Sequence, residues 1–193
     1  TVTIPNIVNQ TVQTGVGWNW FSYNVAVEDN SISSVLESLG DNAIFINSQA
    51  SGSATYYPDY GIWDGSLITL EPGQMYLLKM MGDATFTTTG YPVDLPSAPI
   101  SLVEGWNWIG YLPQHSGDIG TALASLDDNA IFINSQGFGS ATYYPDYGIW
   151  AGSLVTLEPG IGYMLKMNVD DELIYPEFDG LVRLAENKQE VVL

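Results

Sequence analysis

Residues 41–80 and 128–167 are one segment written twice. They differ only at the pairs 50/137, 51/138, 64/151, 68/155, 74/161, 75/162 and 77/164. The likeness continues upstream, where GWNWFSYNVAVEDNSISSVLESLGDNAIFINSQ (17–49) matches GWNWIGYLPQHSGDIGTALASLDDNAIFINSQ (105–136) with one residue fewer. A spacing of 87 residues between positions 41 and 128 is too long for a small solenoid unit. The chain must therefore build one pattern twice. The expectation is a mainly β protein with one short helix per repeat, made of two tandem β-rich repeats related by a pseudo-two-fold. The first repeat is read as 1–90 and the second as 100–193. The Pro-rich YPVDLPSAP (91–99) between them carries no helix signal. Nine residues of link imply that the repeats pack as one unit.

Each repeat has the same local grammar. GWNWFSY alternates, so Trp18 and Trp20 share a face and Asn19 opposes them. Ile32, Val35, Leu36 and Leu39 form a helical stripe that Asn30 or Ser31 caps and Gly40 ends. In the second repeat the stripe is Ile119, Leu123 and Leu126, with Asp118 as the cap. AIFIN (43–47 and 130–134) is a strand. SLITLEPGQMYLLKM (66–80) reads as a hairpin around a type II Pro72–Gly73 turn, with Tyr76, Leu78 and Met80 facing the core and Lys79 opposite in solvent. ATFTTTG (84–90) is a further strand and ELIYPEF (172–178) its counterpart. LVRLAENKQEVVL (181–193) reads equally as a last strand or a tail.

Composition removes several function classes. With 22 acidic residues against four basic ones, net −18, phosphate neutralisation is out of reach, so no nucleic acid is expected as a partner. Anionic membranes and anionic polymers are disfavoured for the same reason. No apolar run is long enough for a membrane span. The chain has no Cys, and its one His, His115, has no counterpart in the first repeat. Ser/His and Cys/His catalysis then lack material, and no carboxylate pair stands out for glycoside hydrolysis. The expectation is no enzyme. No cofactor is expected, calcium alone staying open at the acid-rich turns Asp127–Asp128–Asn129 and Asp170–Asp171–Glu172, neither of which follows an EF-hand loop.

GWNW, a helix, GSL and LEPGxGY followed by an apolar residue and Lys, as in GSLVTLEPGIGYMLK (152–166), resemble a repeat module of large secreted and surface proteins of bacteria. Tyr91–Pro92 and Tyr175–Pro176 match its closing YP. The first copy departs at Met75, where the pattern has Gly, and at Asp64 before GSL. The resemblance implies a secreted or cell-surface setting within a larger multidomain protein. It also implies that Trp20, Trp108, Trp63 and Trp150 are mainly packing residues.

The pattern dictates the tyrosines of ATYYPDYGIW, present unchanged at 54–63 and 141–150, less than the tryptophans. Since Tyr56 and Tyr57 face opposite ways on an extended segment, one can be core and the other not easily. Sugar rings offer C–H faces that stack on aromatic rings, and hydroxyls that need polar side chains at the ring edge. The candidate site is therefore Gln49, Tyr57, Asp59, Tyr60 and Trp63, with Gln136, Tyr144, Asp146, Tyr147 and Trp150 as its second copy. The function expected is non-catalytic carbohydrate binding, on neutral polysaccharides or glycans. The alternative is a structural or adhesive module of a large bacterial surface protein with no small ligand.

Overall fold

The computed structural model describes residues 6–178, and the segment 181–193 lies outside them. The first half contains β1 (Val8–Thr14), β2 (Gly17–Phe21), β3 (Val25–Ala26), α1 (Ile32–Val35), β4 (Ala43–Ser48), β5 (Ser53–Tyr57), β6 (Ile62–Gly65), β7 (Tyr76–Met80) and β8 (Ala84–Pro92). The second contains β9 (Ile100–Leu102), β10 (Gly105–Gly110), β11 (Gly117–Asp118), α2 (Ile119–Ala122), β12 (Ala130–Ser135), β13 (Gly139–Tyr144), β14 (Ile149–Gly152), β15 (Thr156–Leu157), β16 (Gly162–Met167) and β17 (Asp171–Leu173). The fold is mainly β with a few short helices, and no sheet closes into a barrel among the described residues. Each repeat builds a five-stranded antiparallel sheet of the same order, β2-β7-β4-β5-β6 and β10-β16-β12-β13-β14.

The helices form where the capping residues stand. Ser31 Oγ accepts from Ser34 N–H and Asp118 Oδ1 from Thr121 N–H, each satisfying a donor that the first turn leaves free. The helical stripes are buried in two separate cores, one per repeat. Tyr76, Leu78 and Met80, and likewise Tyr163, Leu165 and Met167, face those cores as the alternation predicts. The buried tyrosines keep their hydroxyls paired. Tyr76 Oη accepts from Glu71 N–H at 2.7 Å and Tyr163 Oη from Glu158 N–H at 2.8 Å, which locks each LEPG turn to its strand.

The expected 66–80 hairpin does not form. The Pro72–Gly73 turn is present, with Gly73 at φ +81°. However, β7 is a central strand whose two edges are taken by β2 and β4, so residues 66–71 are left to pair elsewhere. Thr69 bridges to Ser31, and in the second repeat β15 pairs with β11, beside the helix cap in both cases. The link also differs from expectation: Leu95–Ser97 makes a 3₁₀ turn with Pro96 in its first residues. The expected match of 84–90 with 172–178 is partial. β8 pairs with β1 along seven residues, whereas β17 and β9 pair along three.

The repeats meet reciprocally. Phe21 bridges Ile161 and Ile109 bridges Gln74, two equivalent pairs. Ser22 N–H donates to Gly160 O at 3.1 Å and Gly110 N–H to Gly73 O at 2.8 Å. Equivalent positions also meet themselves. A Cβ on Gly162 would lie 2.2 Å from Met75 Cγ, and one on Gly110 2.7 Å from Ser22 Cβ. Positions 75/162 and 22/110 thus lie on the pseudo-two-fold, and in each pair one repeat supplies a side chain and the other a glycine. Met75, the departure from the module pattern, is the side chain that fills this junction, and it is 1% exposed.

Candidate functional site

Tyr57-Pro-Asp-Tyr-Gly-Ile62 makes the connection between β5 and β6. Pro58 presets the φ of a turn's first central position. Gly61 takes φ +64°, and both Tyr60 N–H and Gly61 N–H donate to Tyr57 O, at 3.1 and 2.9 Å. The turn fixes the register: Tyr57 faces Ile62 and Tyr56 faces Trp63. Neighbouring pairs in a hairpin point to opposite sides. The expected cluster is therefore split in three. Tyr60 stands at the tip, three-quarters exposed, as does Tyr147, and Asp59 and Asp146 are exposed beside them. Tyr57 and Ile62 lie half-exposed on the outer sheet face, as do Tyr144 and Ile149. Trp63 lies on the inner side, and its neighbour is Tyr56, which is not among the expected site residues.

Gln49 and Gln136 lie in neither group. Gln49 Nε2 donates to Trp106 O at 2.6 Å, and Trp108 N–H donates to Gln49 Oε1 at 2.6 Å. Gln136 makes the same pair of bonds to Trp18 O and Trp20 N–H. Each carboxamide thus serves the open edge of the other repeat's Trp strand, at the opposite end of β5 or β13 from the tyrosine tip. Exact duplication of the glutamine was visible in sequence, but its partner depends on how the repeats approach.

The outer face of each sheet is aromatic. The register Trp18–Lys79–Phe45–Thr55–Asp64 crosses the first sheet. Trp18 packs edge-on to Phe45 at 5.9 Å and carries Lys79 Nζ 5.7 Å from its ring centre. Trp106, Phe132 and Lys166 repeat this arrangement, with the ammonium at 5.9 Å. Lys79 is not free in solvent as the alternation implies; in each repeat an indole beneath the lysine attracts it instead.

On the inner side, Tyr56 and Trp63 pack at 5.3 Å and 50°, and Tyr143 and Trp150 at 5.3 Å and 49°. Each pair walls a cleft between the hairpin and the helical segment, and the two clefts are lined by the same seven equivalent positions. Tyr143 Oη donates to Asp128 Oδ1 at 2.9 Å. That bond, then desolvation, then the charges of Asp128 and Asp127 hold the Tyr143 hydroxyl above its ordinary pKa. Desolvation and the neighbouring Asp41 do the same for Tyr56.

Among the described residues no group of three or more His, Asp or Glu side chains is placed to hold a metal ion. Asp170 and Asp171 instead accept hydrogen bonds from Glu104 N–H at 2.8 Å and Asn129 Nδ2 at 2.9 Å. No helix among them is long and apolar enough to cross a membrane. Comparison with family models, curated proteins and solved structures finds no match.

Proposed function

We propose that this chain is a non-catalytic carbohydrate-binding unit that holds uncharged glycans by aromatic stacking and hydroxyl hydrogen bonds. It acts in a secreted or cell-surface setting, within a larger protein. The observation that carries the reading is the aromatic hairpin built twice, with Tyr60 and Tyr147 each 76% exposed at its tip. Tyrosine that exposed makes little contribution to packing, and its rigid ring binds at small entropic cost. Asp59 and Asp146 stand beside the rings as hydroxyl acceptors, and two copies on one body give avidity on a polymer whose repeat fits. The net charge of −18 favours glycans without acidic groups.

The test is retention of the intact chain on a panel of soluble and insoluble neutral polysaccharides, beside the Tyr60→Ala/Tyr147→Ala variant. The expected result is retention of the parent, loss in the variant, and a melting temperature unchanged within about 2 °C, since exposed positions contribute little to stability. Retention of the variant at parental level, or no retention of the parent on any polysaccharide, overturns the reading. One observation favours the second reading, a structural or adhesive module: the glutamines fasten the repeats reciprocally into one body, which suits a spacer of fixed length.

A further inference from the structure

The two clefts behind the hairpins share their Tyr, Trp, Leu and Gly lining and differ at three positions. Ser33 is replaced by Gly120, Glu37 by Ala124 and Gly40 by Asp127. The first two changes remove bulk from the helical wall, and the second cleft measures about 210 Å3 against about 100 Å3 for the first. The third runs against backbone preference. Gly40 takes φ 50°, ψ −139°, and Asp127 takes nearly the same values, φ 45°, ψ −129°. This is the region of the first central residue of a type II′ turn, which glycine populates freely and other residues do not. Asp127 is the one described residue other than glycine with a positive φ. Strain of this kind persists where surrounding structure enforces it, and it clusters at binding sites.

The strained residue brings to the cleft a carboxylate that the first repeat, with Gly40 at that position, lacks. Asp127 lines the cleft with Tyr143 and Trp150, while Asp128 lies outside the lining and accepts from Tyr143 Oη. Among the described residues no basic side chain lines the cleft. An aromatic wall edged by a carboxylate acceptor matches a pyranose ring, which offers a C–H face on one side and hydroxyl donors at its edge. The two oxygens of one carboxylate suit two adjacent hydroxyls. We propose that the cleft of the second repeat, walled by Tyr143 and Trp150 and edged by Asp127, is a subsite for one neutral pyranose unit with two neighbouring free hydroxyls, and that Ser33 and Glu37 close the equivalent cleft of the first repeat. This rests on the carbohydrate-binding reading and assigns it a site of its own, behind the hairpin tip.

The experiment titrates the intact chain with cellohexaose, xylohexaose, mannohexaose and maltohexaose, following Trp fluorescence and calorimetric stoichiometry. Three variants accompany it: Asp127→Gly, Gly120→Ser/Ala124→Glu, and Ser33→Gly/Glu37→Ala/Gly40→Asp. The expected results are one bound hexaose per parent chain and a loss of at least about tenfold in affinity for the first two variants, the first through removal of a charged hydrogen-bond acceptor and the second because the new side chains fill the cleft. Asp127→Gly also melts about 2–6 °C higher, because the backbone strain is relieved. The third variant gains a second site. Asp127→Gly binding with parental affinity overturns the subsite while leaving the carbohydrate reading intact. A parent that binds none of the four hexaoses removes the subsite, and the polysaccharide panel then decides the broader reading. A purely structural cleft predicts the gain in melting temperature without any change in binding.

Discussion

Gly162→Ala probes the junction of the two repeats with one methyl group. Gly162 is not held in a left-handed conformation, so alanine is acceptable to its backbone. The obstacle is Met75: the new Cβ would lie 2.2 Å from its Cγ, 3.0 Å from Sδ and 3.1 Å from Cβ. Because the clash falls near the root of the side chain, rotation of its end does not remove it, and Met75 is 1% exposed, with no open solvent to move into. Overpacking of this kind costs about 1–3 kcal/mol. The loss of glycine's freedom in the unfolded chain returns about 0.4–1 kcal/mol. The net is a destabilisation of about 1–2 kcal/mol, or about 2–8 °C in melting temperature for a chain of 193 residues. Met75→Ala alone leaves a cavity and costs about 2–5 kcal/mol. In the double variant the methyl of residue 162 occupies part of that cavity, so the cost falls short of the sum by about 0.5–3 kcal/mol. Urea unfolding of the four proteins measures the cycle. Additivity within about 0.5 kcal/mol would mean that positions 75 and 162 do not touch, and the pseudo-two-fold packing described above would be wrong.

The glutamine pair and the buried tyrosines give two more predictions. Gln49→Ala or Gln136→Ala frees two backbone groups that water can reach, so each costs about 1–2 kcal/mol in urea unfolding, and the double variant about twice that. Gln49→Glu keeps shape and acceptor but loses the donor to Trp106 O, and it destabilises at neutral pH; parental stability in this variant would show that shape, not hydrogen bonding, holds the contact. Burial, the largest cause, pushes the Tyr76 hydroxyl up to about 12, and it also pushes those of Tyr23, Tyr111, Tyr163 and Tyr175 well above the ordinary value. For an acid whose folded pKa is raised, the stabilisation is complete below the unfolded value near 10 and is lost as pH climbs from there towards the folded value. Thermal melts across about pH 8 to 11.5 should therefore be level at first and fall beyond about 10. A melting temperature that stays level to the end of that range contradicts the burial of these phenols.

What could be read from the chain depended on the range of the interaction involved. The Ser31 and Asp118 caps, the Ile32–Leu39 stripe and the inward faces of Tyr76, Leu78 and Met80 are local patterns, and they stand as the spacing implies. The 66–80 hairpin failed because adjacency in sequence competes with whichever strand offers a better edge, and β2 and β4 flank β7 first. In the site, Trp63 was grouped with Tyr57 by nearness along the chain. The turn pairs Tyr57 with Ile62 and so commits Trp63 to Tyr56. Counting outward from Pro58–Gly61 would have found this. The Gly40-to-Asp127 exchange is plain in the alignment, but its meaning needs the backbone angles. The role of Gln49 is not encoded near Gln49 at all, since the groups it serves belong to residues 106 and 108.

The glutamines at the Trp strands have a bearing on how such a chain behaves at high concentration. An open sheet edge next to exposed indoles is a template on which another molecule's strand can grow, and strongly twisted, charged or covered edges are how proteins avoid this. Here the cover is borrowed: each repeat's most aromatic edge is guarded by a side chain of its twin. A chain stripped of both glutamines would keep its cores yet offer two unguarded edges. Duplication, on this view, protects each repeat from unwanted pairing with other molecules, a benefit that a single repeat in isolation would lack.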